Sequence, residues 1–500
     1  MKKIFALCVS FILLTSSVYA AEGEMGYFGG VSSGIKLPTL TSLAQTKTKS
    51  VSKYTLPYKE NIYITGKAET VEGTLEIKPG KGVDKEKGTG SYTESYVMKA
   101  QNADNTARVT RNITFDTQYV YDASLKQTRK VSTIKKWTEI ITAGGKTYTL
   151  DSDRSNYTKS MLEEQTPGVL YYRGDVHYDA VYVAGADEEI TVSVNGPVYG
   201  YDQAFAKTET QRRTITVDLD NGDGYVIEET PTFTVHRDIQ YGSNEPTAIS
   251  MAGNYKEIIR NEGTLSYNII QGNDSLYEDE LSGMISIEST PTIEQLSIPT
   301  ALNLQGHPAE TQIRKMYSMN IFTDNPSTFS TNQVVTKSDY IKMLVTALQI
   351  ELPEEKTKKS SKKKTVEVSP FTDIKQNDPN YKYAVAAYNA GLVEGGTFNG
   401  NSYLTREMMY VLNIKAMGLE RLGLGTMGTY TPFVDDNNIS SWAKNSLYAA
   451  SKLGIITVSN GYIFPQKYVT KAECATFLDQ FIDYLRYDLQ KDYNDKMLLG

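Results

Sequence analysis

From Tyr54 to about Ile298 apolar and polar residues alternate in short runs, and turn residues interrupt the runs at intervals. Ile62-Tyr63-Ile64, Thr74-Leu75-Glu76-Ile77, Arg111-Asn112-Ile113-Thr114-Phe115, Thr147-Tyr148-Thr149-Leu150, Ile190-Thr191-Val192-Ser193-Val194 and Thr214-Ile215-Thr216-Val217 are rich in β-branched and aromatic residues. A period of two turns one face to a core and the other to water, which is the signature of antiparallel strands rather than of crossover units with helices. Residues 51–298 are therefore predicted to be mainly β, forming one or two sandwich-like domains. Most of the 36 tyrosines fall here. A ring that covers its neighbours while its hydroxyl stays wet suits the half-exposed face of a strand, so surface and rim positions are expected for them.

In the last third the period lengthens. Leu447, Ala450 and Leu453, then Cys474, Phe477, Leu478, Phe481, Ile482 and Leu485, follow helical spacing, as do Tyr340, Ile341, Leu344, Val345 and Leu348 earlier on. The same arrangement occurs three times at roughly 65 to 70 residues: a helix ending near Asn320, Gly391 or Gly454, a polar loop, and a second helix opening at Thr336, Thr405 or Thr470. Units of this kind cannot bury their apolar faces alone, so the three copies are expected to share one core.

Each threonine reads as a helix N-cap. Asp339 and Glu473 stand where an acidic residue closes a capping box, whereas the middle copy has Met408 at that position and Glu407 one place early. A basic residue follows every threonine: Lys337, Arg406 and Lys471. A cation at a helix N-terminus opposes the macrodipole, so helix chemistry does not account for it. Beside free backbone N–H groups on an exposed first turn, it would build an anion site.

The ends and joints of the chain narrow the setting. Lys2 and Lys3, the apolar run Ile4 to Leu14 and the small residues before Ala21 have the layout of a cleaved export signal, residues 1–20. No later stretch approaches the length of a membrane helix. Removing the signal takes Cys8 with it, leaves Cys474 without a disulfide partner, and moves the formal charge from -7 to -9 (50 basic against 59 acidic residues), an acidity that argues against nucleic-acid binding. Residues 21–50 read as a flexible or loosely docked arm. Helical repeats are placed at 299–352, 370–420 and 432–487. Between them lie a lysine-rich linker (353–369) and a glycine-rich one (421–431), and a short tail, 488–500, follows.

Phe371-Thr372-Asp373, Phe433-Val434-Asp435, Trp442-Ala443, Gly454-Ile455, Phe464-Pro465 and Thr470-Lys471-Ala472-Glu473 resemble the S-layer homology repeat of bacterial surface proteins. The segment from Gly306 to Phe322 resembles the start of another copy, and the likeness extends over about residues 296–487. The resemblance implies an all-α, pseudo-threefold module whose grooves hold an anionic, often pyruvylated, secondary cell-wall polysaccharide attached to peptidoglycan. By position it implicates Lys337, Arg406 and Lys471 as ligand cations, Asp373 and Asp435 as groove-lining residues and Trp442 as a stacking or packing ring. The first copy lacks a clear Phe-x-Asp, and Pro308 and Pro379 stand where Trp442 stands in the third. The third copy is accordingly expected to supply the dominant groove.

Chemistry elsewhere is thin. Gly30-Val31-Ser32-Ser33-Gly34 fits a nucleophile-elbow pattern without the preceding strand, and Gly423, Gly425 and Gly428 follow a helix rather than a strand. Asp218 to Gly224 is acidic enough for a calcium loop but puts Leu219 at the first ligand position, so a hairpin turn is predicted. Asp175, His177 and Asp179 share one strand face, read as polar surface rather than a metal site. No catalytic constellation, metal or cofactor is expected. The overall expectation is an exported, non-enzymatic S-layer-type protein, secreted to the cell wall and anchored there non-covalently. Its β-rich region would be displayed for self-assembly or a surface partner; a wall-anchored polysaccharide-acting enzyme and an adhesin are the rivals.

Overall fold

A computed structural model describes residues 29–34, 37–40, 53–185, 188–242, 254–272, 274, 276–304, 306–353, 369–424 and 430–493. The predicted export signal, nearly all of the lysine-rich linker, and Gly425 and Gly428 lie outside them. The N-terminal part is strand-rich and the C-terminal part helical, as the change of period predicts.

Among the described residues sixteen strands hydrogen-bond into one antiparallel sheet, not into two separate ones. They are β1 (Val31–Ser32), β2 (Tyr54–Ile62), β3 (Glu69–Lys78), β4 (Thr89–Gln101), β5 (Arg108–Asp122), β6 (Gln127–Ala143), β7 (Lys146–Leu150), β8 (Asn156–Gln165), β9 (Val169–Ala184), β10 (Glu188–Gln203), β11 (Ala206–Gln211), β12 (Arg213–Leu219), β13 (Gly224–Gly242), β14 (Asn254–Gln271), β15 (Ser282–Glu288) and β16 (Thr292–Leu296). Chain neighbours pair as a meander. Where a long strand faces two short ones, as β10 and β13 face β11 and β12, the short pair is one strand broken by a corner. The hairpin predicted at Asp218–Gly224 is the β12–β13 turn.

The inward face of the sheet is not purely apolar. Val109, Ile113 and Phe115 of β5 alternate with solvent-facing residues, but Arg111 occupies an inward position among them. A buried charge is costly unless paired, and Arg111 bonds Glu60 (2.8 Å) and Glu139 (2.6 Å), the latter also accepting from Trp137 Nε1 (3.0 Å). Many tyrosines lie inside as well, contrary to the rim positions expected. Tyr58, Tyr96, Tyr157, Tyr172, Tyr178 and Tyr182 are buried, and Tyr157 packs against Phe115 at 4.7 Å and Tyr178 at 5.9 Å. Interior polar groups serve some of the hydroxyls: Tyr63 donates to Glu229 (3.0 Å) and Tyr172 to the Thr208 carbonyl (3.0 Å).

The described part of the predicted flexible arm is docked. Residues 29–34 are buried; β1 pairs with β2 and lies against β13, β14 and β15, where the two ends of the sheet approach one another. The slot admits only glycine at its tight points: a Cβ at Gly30 would fall 2.0 Å from the Tyr58 hydroxyl, and one at Gly263 2.4 Å from the Ser32 carbonyl. Farther on, Leu40 N donates to Glu257 (3.0 Å) and Arg237 to the Pro38 carbonyl (2.7 Å). The G-x-S-x-G pattern thus ends as a closing strand, with Ser32 fully buried.

Among the described residues six helices make up the repeats. Three open them, α1 (Glu310–Ser318), α3 (Tyr381–Ala390) and α5 (Lys444–Lys452), and three close them, α2 (Lys337–Ala347), α4 (Arg406–Met417) and α6 (Lys471–Asp483). Before each closing helix one residue points inward, and these three bond in a ring: Val335 N to Val469 O, Val469 N to Leu404 O, and Leu404 N to Val335 O, each at 2.9 Å. Part of the glycine-rich linker and the described part of the tail are helical. Residues 421–424 are helical, with Gly423 so close to α5 that a Cβ would meet the Asn445 carbonyl at 2.2 Å. A π-helical turn at Tyr484–Asp488 carries the chain to Tyr493, which stacks on Tyr171 of β9 at 5.4 Å and donates to the Tyr172 carbonyl (3.0 Å).

Sheet and helices share one core. Val169, Tyr171, Tyr201, Phe205, Ile239 and Tyr255 are buried in the same cluster as the apolar faces of the repeats. Polar ties reinforce the junction: Thr166 and Gly168 donate to the Ala416 carbonyl (3.1 and 2.7 Å), and Arg486 bonds Asp238 (3.0 Å). The repeats are therefore built onto the end of the sheet rather than tethered to it.

Candidate functional site

The closing helices begin where the sequence places them. Thr336, Thr405 and Thr470 are extended N-caps whose hydroxyls accept from the amide three residues on, at 3.2, 3.4 and 3.3 Å. Only Thr470 has the full reciprocal box, Glu473 accepting its amide at 3.1 Å; Asp339 instead accepts the Thr336 hydroxyl (2.8 Å). The displaced acid of the middle copy has another task. Buried Glu407 accepts from Ser440 N (3.0 Å) and Ser440 Oγ (2.7 Å), tying the second repeat to the third.

The free amides expected at these helix starts are not free. The first two N–H groups of each closing helix donate to carbonyls of the next repeat's loop: Lys337 and Ser338 to Ser402 (2.8 Å) and Gly400 (2.9 Å), Arg406 and Glu407 to Lys467 and Pro465 (both 3.0 Å), Lys471 and Ala472 to Gln333 (2.8 Å) and Thr331 (3.1 Å). With the third amide on the threonine, the first three amides of each closing helix are all committed within the protein and do not build an anion site.

The basic side chains take the same cyclic direction, each crossing into the neighbouring repeat. Lys337 lies 5.2 Å from the centre of the Phe398 ring, Arg406 5.9 Å from that of Phe464 and Lys471 5.5 Å from that of Phe329. Each pocket thus pairs a cation from one repeat with an aromatic face from another. Phe329 and Phe398 escaped the sequence reading, although both lie seven residues before a cap threonine.

The pockets differ in how the cation is compensated. Lys471, buried, is ion-paired to Asp324, a carboxylate on the loop after α1. Arg406 bonds Glu473 at 2.7 Å and the Ile463 carbonyl at 3.2 Å. Partial burial would raise the Glu473 carboxyl, but bonds from Lys467, the Thr470 amide and Arg406 outweigh it and hold the group at about 2. Lys337 alone of the three is bonded only to a neutral partner, the Phe398 carbonyl (2.7 Å), and makes no ion pair among the described residues. Burial pushes its ammonium below the ordinary lysine range; Asp373 opposes the shift and Lys415 adds to it. None of the three cations is the fully exposed side chain expected of a first turn.

Asp373 and Asp435 are brought to the pockets but committed to their own loops. Asp373 accepts from Phe398 N (2.6 Å) and Asn399 N (2.7 Å), and Asp435 from Ile463 N (3.1 Å) and Phe464 N (2.8 Å). Each holds the aromatic residue under its cation. Trp442 is 54% exposed, which leaves its ring available for stacking and rules out a core role. Further exposed rings stand around the Arg406 pocket, Tyr462 stacked on Phe464 (5.7 Å) and Tyr403 beside Tyr468 (5.3 Å).

In the sheet, the Asp175, His177 and Asp179 face holds a contact between His177 and Asp179 (3.4 Å) with the His177 side chain 56% exposed, and the described residues contain no cluster of metal-ligating side chains. Buried Glu60 and Glu229 line an internal cavity of about 60 Å³, where burial pushes the Glu229 carboxyl up to about 8.

The S-layer homology domain family matches this chain at residues 370–407 and 432–475, within the second and third repeats. The chain is 30% identical over 159 residues to an amylopullulanase of Thermoanaerobacterium thermosulfurigenes, covering 30% of this chain and 8% of that protein. It is 30% identical over 159 residues to the exoglucanase XynX of Acetivibrio thermocellus, covering 30% and 13%, and 29% identical over 135 residues to an endoglucanase of Bacillus sp. (strain KSM-635), covering 25% and 14%. The chain thus spans less than a sixth of the length of each of these relatives.

Proposed function

We propose that this chain, a surface protein anchored at the wall by S-layer homology repeats, is held there non-covalently by anionic, pyruvylated groups of a secondary cell-wall polysaccharide seated in the pockets between its pseudo-threefold repeats. The ring of bonds through Val335, Leu404 and Val469 supports three related pockets, and the cation-over-ring pairing suits a sugar carrying a carboxylate. The observation that carries the reading is the compensation pattern. A carboxylate ligand must displace Asp324 from Lys471 or Glu473 from Arg406, whereas at Lys337 it displaces only a neutral carbonyl contact. The Lys337 pocket is therefore the leading site, in place of the third copy that the sequence motifs favour.

The β-rich region is displayed in fixed orientation to the wall, as an S-layer-type subunit or a platform for a surface partner, and is not an enzyme. The rival, a glycan-acting enzyme with a carboxylate pair inside the sheet, would need a substrate pocket there, and the cavity around Glu60 and Glu229 is about 60 Å³, against roughly 300 Å³ or more for ordinary small-ligand sites. Turnover of wall or plant glycans by the full chain, lost in Glu60→Gln or Glu229→Gln, would favour the rival.

The anchoring test uses the full chain, because the repeats share a core with the sheet. Walls should retain the protein before, but not after, removal of the secondary polymer, and Lys337→Gln should weaken retention more than Lys471→Gln does. Equal binding to intact and stripped walls would remove the glycan from the mechanism.

A further inference from the structure

We infer that the cleft between the β5–β6 turn and the second repeat is an additional binding site for the same acidic polysaccharide, continuing it from the Lys337 pocket onto the sheet. The inference rests on the reading of that pocket as the leading wall site. The cleft measures about 670 Å³ and is walled by Lys126 on one side and by Tyr388, Asn389, Val393, Glu394 and Lys415 on the other. That is the scale of a site for several sugar units. Tyr388, 40% exposed, offers a ring face within it.

Lys126 is held in place. It adopts a left-handed backbone (φ 51°) at the turn before β6, and its Nζ donates to the Ala390 carbonyl at the end of α3 (2.7 Å). The ammonium fills the space where Gly391 would carry a Cβ, 2.2 Å away. Its hydrogen bond is to a neutral group, so the charge stays uncompensated. Lys415, in the last turn of α4, has no carboxylate within ion-pair distance among the described residues, and Glu394 pairs with neither lysine.

Like charges gathered in a cleft repel one another and cost stability unless an anion joins them. Lys415 acts on both sides: with burial and Lys85 it pushes Lys126 below the ordinary lysine range, and it contributes likewise at Lys337. Lys126 and Lys415 face one cleft, and Lys415 is also within electrostatic reach of Lys337; none of the three makes an ion pair among the described residues, whereas the Arg406 and Lys471 pockets are closed by internal carboxylates. The cleft lining includes Lys126 and Lys415 but not Lys337, so a small anion there would leave Lys337 unmet. A saccharide bearing carboxylates at intervals would satisfy all three in series, clamping the junction between sheet and repeats.

The test uses the full chain and carboxylate-bearing oligosaccharides released from the producing cell's walls and fractionated by size. Lys126→Gln retains a donor for Ala390, and Lys415→Gln touches no bond between sheet and repeats, so melting temperatures serve to verify folding of both. For the unaltered protein, affinity should rise about tenfold or more from the shortest to the longer fragments. In Lys126→Gln/Lys415→Gln that rise should flatten, with the shortest fragments bound as before, and the dependence of log K on log salt should lose about two units of slope, as expected when two cations no longer meet a polyanion. Lys415→Gln alone should show part of the same loss. Equal length dependence in variant and unaltered protein, or none in the unaltered protein, overturns the cleft while leaving the Lys337 site intact. Failure of every fragment to bind the unaltered protein defeats the wall-glycan reading itself.

Discussion

Glu473→Gln separates charge from shape at the Arg406 pocket. One Glu473 oxygen accepts from Arg406 (2.7 Å) and Lys467 (2.8 Å), the other from the Thr470 amide (3.1 Å). Glutamine can still accept the amide and complete the box, so the substitution removes the charge and little else. The carboxyl lies at about 2 against an ordinary 4.5, a shift worth about 3.4 kcal/mol at about 1.36 kcal/mol per unit. With the side chain 24% exposed, solvent screening reduces this to about 2 kcal/mol. Because the folded-state value is depressed, the stabilisation is complete above the unfolded value and fades as pH falls from about 4.5 through about 2. Denaturation of the full chain should show the variant about 2 kcal/mol less stable at pH 7, with the gap nearly closed at pH 2. At pH 7 the variant should nevertheless bind wall polymer more tightly, since a released guanidinium gains a charge-assisted contact worth on the order of 1.5 to 3 kcal/mol. A stability gap unchanged between pH 7 and pH 2 would assign the loss to shape, and weaker wall binding would make Glu473 part of the ligand site rather than its competitor.

Three further outcomes follow from the same geometry. Asp324→Asn should release Lys471 and add anion binding in the third pocket, read as a second set of sites in calorimetry with wall fragments; unchanged stoichiometry would mean that Asp324 does not block it. Gly30→Ala should destabilise the sheet by about 1 to 3 kcal/mol or more through overpacking against Tyr58, and a melt equal to the unaltered protein would mean that β1 does not occupy its slot in solution. Thr470→Ala should cost about 1 kcal/mol and Thr405→Ala less, because only Thr470 belongs to a reciprocal capping box and Met408 cannot close one at Thr405; thermal melts in the reverse order would contradict the capping account.

Local chemistry was legible in the chain. Alternation announced the strands because every second residue of a half-buried strand meets a core, and Thr336, Thr405 and Thr470 marked helix starts because a cap bond spans three residues. Lys337, Arg406 and Lys471 stood out for the same local reason, as cations on the wrong end of a helix dipole. Their partners did not. Asp324 lies 147 residues from Lys471, and Glu473 67 residues from Arg406; only the cyclic packing of the repeats brings them within bonding distance and decides that two pockets are internally neutralised and one is not. The amides thought free are consumed by carbonyls of the next repeat, again across a contact with no local signature. Within the apparently loose arm, Val31 and Ser32 become a closing strand because their slot is lined by Tyr58, Phe233 and Gly263, and composition reports freedom in the unfolded chain rather than the space left for it in the folded one. The sequence by itself determined the elements, their caps and the family to which the repeats are similar. Tertiary structure decided the single sheet, its shared core with the helices and which of the three cations meet a carboxylate, because burial and charge compensation depend on residues that meet only when the whole chain has folded.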